Sequence, residues 1–236
     1  MKTVCKNCSN TFDTKYCGQC GQDSHTHQIN AHFLWHDIQH GFFHFDKGIL
    51  FTLKELFTRP GFSIKEYLNG KRVQHFKPVS LVIILAGVWG LLYHYMPVSI
   101  QENIDENAAA GVKIIHWLRD HNSIAELINL PFYALASFLV FKTYNYWEHL
   151  VINAFLIAQK IVLSIVFLPI LFSLKDNGSQ VIASAFVSLL SLILFYWGYS
   201  QLFNSYGKIK VLLLTLLVYL ILVAETLLIS FLLSNI

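Results

Sequence analysis

An all-α integral membrane protein is the fold class that this sequence predicts. Hydrophobic residues make up 55% of its 236 residues and charged residues only 13%, a composition far from that of a soluble domain. Five stretches are apolar enough to cross a hydrocarbon layer of about 30 Å, which takes about 20 residues of helix. We therefore expect about five transmembrane helices in a bundle over residues 79–236. The spans lie near 79–96, 126–141, 150–174, 181–203 and 211–233.

The second span is the least regular of the five. It is short, and Pro131 interrupts its start. A tilted, kinked or partly re-entrant helix is therefore an alternative to a full crossing at 126–141.

All four cysteines of the chain lie within its first 20 residues. They form two C-x-x-C pairs separated by eight residues, the spacing of a zinc ribbon with four sulfur ligands. Two disulfides or a redox dithiol pair are the alternatives, and they suit an oxidising compartment or a catalytic role. A closed set of four ligands predicts structural rather than catalytic Zn²⁺. The predicted ligands are Cys5, Cys8, Cys17 and Cys20.

The ribbon, predicted over residues 1–22, has little apolar material. We expect residues 9–16 to form a short hairpin covered only by Phe12 and Tyr16, with Gly18 and Gly21 supplying the permissive backbone of the knuckles. A unit of this size cannot fold on its own. Metal binding is therefore expected to supply most of its folding free energy, about 10 kcal/mol.

Lysine and arginine are concentrated before the first span. Ten of the 17 basic residues lie in residues 1–78, and the positive-inside rule places that segment in the cytoplasm. The connection 97–125 carries four acidic residues against two basic ones and is expected outside. Alternation then places the loops 142–149 and 206–210 in the cytoplasm and the C-terminus outside. The cysteines thus fall on the reducing side, which favours zinc over disulfides.

Histidines recur every four residues after the ribbon. On a helix they form a slowly drifting stripe, which is typical of a metal-binding or proton-responsive face. The alternative is an interfacial helix, because the aromatic residues between the histidines prefer the membrane boundary. The stripe consists of His32, His36, His40 and His44.

Residues 23–78 are predicted to be cytoplasmic or interfacial amphipathic helices. An amphipathic pattern covers 49–57, Arg59-Pro60-Gly61 breaks it, and a short helix over 63–68 ends where Gly70 takes a left-handed cap conformation. Basic residues near the first span predict a collar that binds anionic lipid headgroups rather than nucleic acid. The collar consists of Arg59, Lys71, Arg72 and Lys77.

The predicted cytoplasmic loop between the second and third spans contains Glu148 and His149 among aromatic residues. With the histidine stripe on the same membrane face, these two side chains would complete a second metal or proton site. The alternative is an aromatic belt in which Glu148 caps the following helix.

Several motifs occur together along the chain. They are the Cys5–Gln22 ribbon, the run Gly48-Ile-Leu-Phe-Thr-Leu-Lys-Glu-Leu56, Arg59-Pro60-Gly61, Gly70-Lys71-Arg72 with Pro78, and Tyr146-Trp-Glu-His149. In this combination the chain resembles domain-of-unknown-function family 3667 over nearly its whole length, which implies a bacterial membrane protein with a cytosolic zinc ribbon and no established activity. The five-span topology is also loosely similar to the Yip family of trafficking membrane proteins, an analogy that carries no function.

Two charged residues lie inside the predicted spans. Lys160 in the third span and Glu225 in the fifth would each cost about 3 kcal/mol or more if they faced lipid alone. They lie about 16 Å and about 21 Å from the cytoplasmic ends of their helices, at 1.5 Å per residue. An ion pair between them is therefore predicted. Alternatively, each snorkels or meets the hydroxyls of Ser164, Ser191 or Thr226.

Three classes of function stay open. The first is an adaptor or assembly protein whose ribbon engages a protein partner. The second is a small transporter or channel that uses Lys160 and Glu225, although no internal repeat or pair of broken helices supports it. The third is a membrane enzyme with a histidine-rich metal site, although HExxH, nucleophile-elbow and phosphate-loop motifs are absent from the sequence. The adaptor is favoured by elimination.

Overall fold

The computed structural model describes residues 2–24, 26, 28–35, 48–95, 113, 117 and 121–234. Two short strands and seven long helices are assigned within these ranges, and residues 31–35 form a further helical turn. The strands are β1 (Thr3–Val4) and β2 (Thr11–Phe12). The helices are α1 (Gly48–Thr58), α2 (Pro60–Leu68), α3 (Pro78–Tyr95), α4 (Asn122–Phe141), α5 (Tyr146–Ser173), α6 (Asn177–Leu202) and α7 (Lys208–Ser234).

Helices α3 to α7 correspond to the five predicted spans. Each contains a stretch of at least 18 residues that is apolar enough to cross a membrane, which confirms the predicted fold class. The second span is longer than expected, because α4 begins at Asn122 and runs through Pro131 to Phe141 as one helix.

Helix α5 is the centre of the bundle. Every residue from Val151 to Ile161 except Lys160 is buried. This helix packs against α3, α4 and α6 and also touches α1 and α2. The first half of α5 is therefore enclosed by other helices.

Helices α1 and α2 pack into the bundle. Leu56, Ile64 and Tyr67 are at most 2% exposed and belong to the same core as the spans. The chain between α2 and α3 is also fixed, because the amide of Phe76 donates to Thr52 Oγ1 of α1 across 2.7 Å. These two helices therefore share one hydrophobic core with the five apolar helices.

Pro60 and Gly61 anchor the start of α2 on α6. The predicted break is confined to Arg59, and the helix begins at Pro60 rather than at residue 63. Gly61 lies so close to α6 that a Cβ there would collide with the carbonyl oxygen of Gly198. The Gly61 amide donates to Gln201 Oε1 across 3.0 Å, which satisfies a donor that a helix N-terminus leaves unpaired.

The end of α2 follows the prediction. Gly70 has a φ of +101°, the left-handed conformation expected after this helix. Its amide donates to the carbonyl of Tyr67, and the amide of Lys71 donates to that of Glu66. The turn therefore leads the chain sharply away from α2 towards α3.

One end of the bundle carries the N-terminal segment and two of the loops. The side-chain amide of Asn145, before α5, donates to the carbonyl of Ile29 across 3.4 Å. The bond from Gly61 to Gln201 ties the same N-terminal region to the end of α6. Alternating spans predict this grouping of the ribbon side with the 142–149 and 206–210 loops.

Candidate metal centre and intramembrane polar clusters

The four cysteine sulfurs converge on one point. The Sγ atoms of Cys5 and Cys20 are 3.5 Å apart, those of Cys8 and Cys17 are 3.6 Å apart, and all four lie within 4.8 Å of one another. A disulfide would need about 2.05 Å, and all four thiols are free. Four bonds of about 2.3 Å to one tetrahedral Zn²⁺ place sulfurs about 3.8 Å apart, so the residues fit that ion.

Two equivalent turns hold the thiols. The amide of Cys5 donates to the carbonyl of Asn10 and that of Cys17 to Gln22, each across 2.8 Å. Each turn contains one residue of positive φ just after its second cysteine, Ser9 at +62° and Gly21 at +79°. Gly21 thus has the predicted conformational role, and Gly18 does not.

The ribbon hairpin differs from the predicted one. Strand β1 pairs with β2 in antiparallel register, Thr3 opposite Phe12, so the two strands flank the first knuckle and only β2 lies between the knuckles. Phe12 is buried as expected, whereas Tyr16 is 53% exposed. The reason is that β1 precedes the first cysteine and supplies the partner strand that residues 9–16 were expected to provide alone.

The ribbon is docked on the rest of the chain. Gln22 is 4% exposed, and its Oε1 accepts a hydrogen bond from the amide of Arg72 across 3.2 Å. At Gly70, a Cβ would lie 2.8 Å from the side chain of Lys6. Ile29, just after the ribbon, is buried in the bundle core. A larger residue at position 70 would displace the side chain of Lys6.

The predicted basic collar is engaged by the protein itself. Arg59 contacts Glu55 at 2.6 Å and Glu66 at 3.2 Å, and Lys71 contacts Glu66 at 3.3 Å. Desolvation opposes ionisation of Glu66, but hydrogen bonds from Arg59 and Lys71 outweigh it and lower the pKa of that carboxyl.

Arg72 of the same collar is held by aromatic rings. Its guanidinium lies 4.5 Å from the ring centroid of Phe33 and 5.4 Å from that of Tyr67. Binding of lipid headgroups by Arg59, Lys71, Arg72 and Lys77 stays a prediction.

His75 is a partly buried titratable residue that the sequence pattern does not single out. Its ring centroid lies 5.2 Å from that of Phe51, 5.9 Å from that of Tyr67 and 6.3 Å from that of Phe155. Burial lowers the pKa of His75 below its ordinary value. The ring therefore favours the neutral form at the junction of α1, α2 and α5.

The histidine stripe is described only at its start. His32 lies in the helical turn 31–35, which begins after Asn30, whose Oδ1 accepts the amide of Phe33. His36, His40 and His44 lie outside the described residues, so the predicted metal or proton site stays a prediction.

Glu148 caps helix α5. Its Oε2 accepts the amide of Asn145 across 2.8 Å, while Asn145 Oδ1 accepts the amide of Glu148 across 2.9 Å, a reciprocal capping box. The geometry matches the alternative in which Glu148 caps the helix. His149, the next residue, points into the bundle instead of towards a shared site with Glu148.

His149 belongs to a buried polar cluster that joins α4, α5 and α6. Its Nδ1 is 2.9 Å from Ser137 Oγ, and Ser137 Oγ also accepts from the side-chain amide of Asn153 across 2.7 Å. The hydroxyl of Tyr199 donates to Asn153 Oδ1 across 2.7 Å. All four side chains have 0% exposure. We call Ser137, His149, Asn153 and Tyr199 the histidine cluster.

Lys160 pairs with Glu126, which corrects the predicted pair with Glu225. The Lys160 Nζ lies 2.6 Å from Glu126 Oε1, and 5.8 Å from the ring centroid of Tyr133. Glu225 is only partly buried, and its Oε2 has no hydrogen-bond partner among the described residues. The physical reason is that α4 and α5 are neighbours joined by a short loop, so Glu126 lies at the depth of Lys160.

The sequence contains a signal for this pair. Glu126 lies 15 residues before Phe141, the end of α4, and Lys160 lies 14 residues after Tyr146, the start of α5. At 1.5 Å per residue both are about 21 to 23 Å from the connecting loop. Glu126 is the first residue of the predicted second span, 126–141, so the sequence alone does not mark its carboxylate as an intramembrane charge. The histidine cluster has no comparable signal, since Ser137 and Tyr199 look like ordinary span residues.

The fold and these sites define an integral membrane protein with a candidate four-cysteine metal centre at one end of the bundle. Residues 46–89, which contain α1, α2 and most of α3, match the family described as "Protein of unknown function (DUF3667)". This match agrees with the resemblance that the motifs indicate, over 44 of the 236 residues, and leaves the ribbon and the 146–149 motif outside it. No curated protein and no solved structure matches the chain, and the looser similarity to the Yip family is not confirmed.

Proposed function

We propose that this chain is a bacterial inner-membrane adaptor or assembly protein, whose structural zinc ribbon engages a protein partner in the cytoplasm. The observation that carries the proposal is the docking of the ribbon on the family segment through Gln22 and Arg72. A partner held by the ribbon would thereby be held in a fixed position relative to the bundle.

Zinc is the metal that best suits the four thiols. The spacing of the sulfurs fits a tetrahedral ion, and thiolates are the ligands that select zinc in a reducing compartment. Four protein ligands leave no open coordination position, so the ion folds the ribbon instead of acting on a substrate. The N-terminus is accordingly cytoplasmic and the C-terminus external in this proposal.

The outer side of the ribbon is available for a partner. Val4 is 61% exposed and Tyr16 53% exposed, because a unit of about 20 residues cannot cover them itself. Trp35, beyond the ribbon, is 63% exposed. Aromatic side chains of this kind are the usual anchors of protein interfaces. Anionic lipid headgroups contribute through the basic collar near the membrane.

A photo-crosslinking amino acid at Tyr16 tests the proposal in the native membrane. We expect one adduct of defined mass from this position. The matched control is the same amino acid at Lys175, an exposed residue in the turn between α5 and α6 at the end of the bundle away from the ribbon, and it should give no such adduct. The double variant Cys17→Ser/Cys20→Ser should lose the adduct at Tyr16, because the ribbon unfolds without its metal. No adduct at Tyr16, or an adduct that survives loss of the metal site, would contradict the proposal.

A further inference from the structure

Polar side chains inside the bundle lie on matching faces of α4 and α5. On α4, Glu126, Tyr133 and Ser137 are spaced by seven and four residues, which places them on one helix face. The α5 residues of the two clusters have the reverse spacing, four and then seven, in the order His149, Asn153, Lys160. Because the two helices are antiparallel, the faces meet and form one stripe.

The histidine cluster forms the end of the stripe near the 142–145 loop. Its hydrogen bonds connect His149 Nδ1, Ser137 Oγ, the Asn153 amide and the Tyr199 hydroxyl in sequence. His149 Nε2 is buried and lacks a hydrogen-bond partner in the part of the chain that the structure describes. The rings around it are those of Phe138, Tyr144 and Phe203, with centroids 5.9 to 6.3 Å away.

The ion pair forms the other end. Glu126 lies one turn from the start of α4, at the end of the helix opposite the 142–145 loop. Its Oε1 bonds Lys160, whereas its Oε2 is buried and has no hydrogen-bond partner within the described ranges. Tyr133 lies beside Lys160, and Tyr219 of α7 lies 6.5 Å from Tyr133 between ring centroids.

A single aromatic ring separates the two ends. Phe195 of α6 lies 5.6 Å from the Tyr133 ring and 6.1 Å from the Tyr199 ring, between centroids. Tyr219 also contacts Phe195 at 5.8 Å. Phe195 therefore contacts a tyrosine ring of each polar cluster and links the two ends of the stripe.

A purely structural role does not account for this arrangement. A buried ion pair contributes little stability compared with well-packed apolar residues of the same volume, because desolvation of both charges offsets their attraction. Ionisable residues inside a membrane bundle are expensive and mark paths for ions or protons. The dense packing along the stripe suits a proton, which moves between hydrogen-bonding groups without an open channel.

We propose that the stripe is a proton path through the bundle. Glu126 exchanges protons at the end predicted to face outside, and His149 exchanges them at the end predicted to be cytoplasmic. Tyr133, Tyr199 and Ser137 relay them, with motion of Phe195 opening the step between the clusters. In each transfer one O–H or N–H bond breaks and another forms, so one proton moves and nothing is oxidised or reduced. This inference is independent of any partner of the ribbon.

Proteoliposomes that contain a pH-sensitive dye test the path. A potassium diffusion potential set with valinomycin drives protons inward, and the wild-type chain should acidify the vesicles faster than protein-free vesicles do. The double variant Glu126→Gln/Lys160→Met removes both charges without leaving one unpaired, and it should lose this flux. The matched control is Glu225→Gln, which removes an intramembrane carboxylate outside the stripe and should keep the wild-type rate.

Tyr199→Phe supplies a second test that preserves packing. It removes only the hydroxyl that bonds Asn153, so the protein should fold and the flux should be lost. Wild-type flux equal to that of protein-free vesicles would overturn the proposal and leave the stripe a structural feature. Full flux in Tyr199→Phe or in the charge-free double variant would overturn it as well.

Discussion

Replacement of Gly61 by alanine should destabilise the protein more than any other single methyl addition at its described glycines. Gly61 lies where the start of α2 touches α6, inside the segment that matches the family. An added Cβ would collide with the carbonyl oxygen of Gly198 and would lie 2.5 Å from the backbone nitrogen of Leu202. Both obstacles are backbone atoms of a long helix, so neither can turn aside as a side chain would.

The expected loss follows from two contributions. Forcing a methyl group into a packed contact costs about 1 to 3 kcal/mol, since the helices must separate to make room. Separation also breaks the bond from the Gly61 amide to Gln201, which contributes about 1 kcal/mol. Alanine has a higher helix propensity than glycine, which stabilises the variant by about 1 kcal/mol in a helix interior and by less in the first turn. The net decrease in the free energy of unfolding should be about 1 to 3 kcal/mol.

Thermal unfolding in a mild detergent, followed by intrinsic tryptophan fluorescence, measures this loss. The matched control is Gly87→Ala in α3, where an added Cβ would have no atom within 4 Å. The midpoint temperature of unfolding should stay the same or rise in this variant. A Gly61→Ala protein as stable as the wild type would show that α2 does not pack against α6 in this way. Equal losses in both variants would point to a general effect of glycine replacement instead.

Three further predictions concern the ribbon and the region near it. Purified protein should contain one Zn²⁺ per chain by elemental analysis, and Cys17→Ser should reduce this content; full occupancy in that variant would argue against the four-sulfur site. Ser9→Gly should strengthen Zn²⁺ binding by about 1 kcal/mol, as measured by competition with a chelator, because serine is strained at a φ of +62°. Gly21→Ala should weaken Zn²⁺ binding by a similar amount. The opposite order of affinities would refute the knuckle geometry. Burial keeps the pKa of His75 in the folded protein below its unfolded value of 6.5, so protonation favours the unfolded state. The stability that the neutral ring contributes is fully present above pH 6.5. It should fall as the pH decreases through the folded-state pKa. Denaturation midpoints measured across this range should vary less in His75→Phe, and an unchanged pH dependence would exclude His75 as the cause.

Features encoded by local pattern were predictable from the sequence. The five spans follow from the length of the apolar stretches, and the observed helices differ from them by only a few residues at their ends. The left-handed turn at Gly70 and the positive φ of Gly21 follow from the freedom of glycine at helix ends and knuckles. The four cysteines meet because two C-x-x-C turns can present sulfurs in only a few ways.

Features that depend on which elements touch were not predictable in the same way. The contact between Gln22 and Arg72 joins residues 50 positions apart, and no pattern in the sequence near either residue predicts it. The sequence marks Lys160 as an intramembrane charge, but its partner depends on which helix is adjacent. Glu225 of α7 has a suitable charge and depth. The carboxylate that reaches Lys160 nevertheless belongs to Glu126 of α4.

The docking of the ribbon has a consequence for the biogenesis of the protein. Residues 1–22 leave the ribosome well before the turn at Gly70 and Arg72 that receives them, and domains fold as they emerge. If the ribbon binds Zn²⁺ as proposed, it can capture the ion while it is still a free tail, before the turn that receives it has been made. In a cell short of zinc, the bundle would insert normally and carry an unfolded tail at its surface, where proteases act. Metal supply would then set the abundance of the intact protein rather than its membrane insertion.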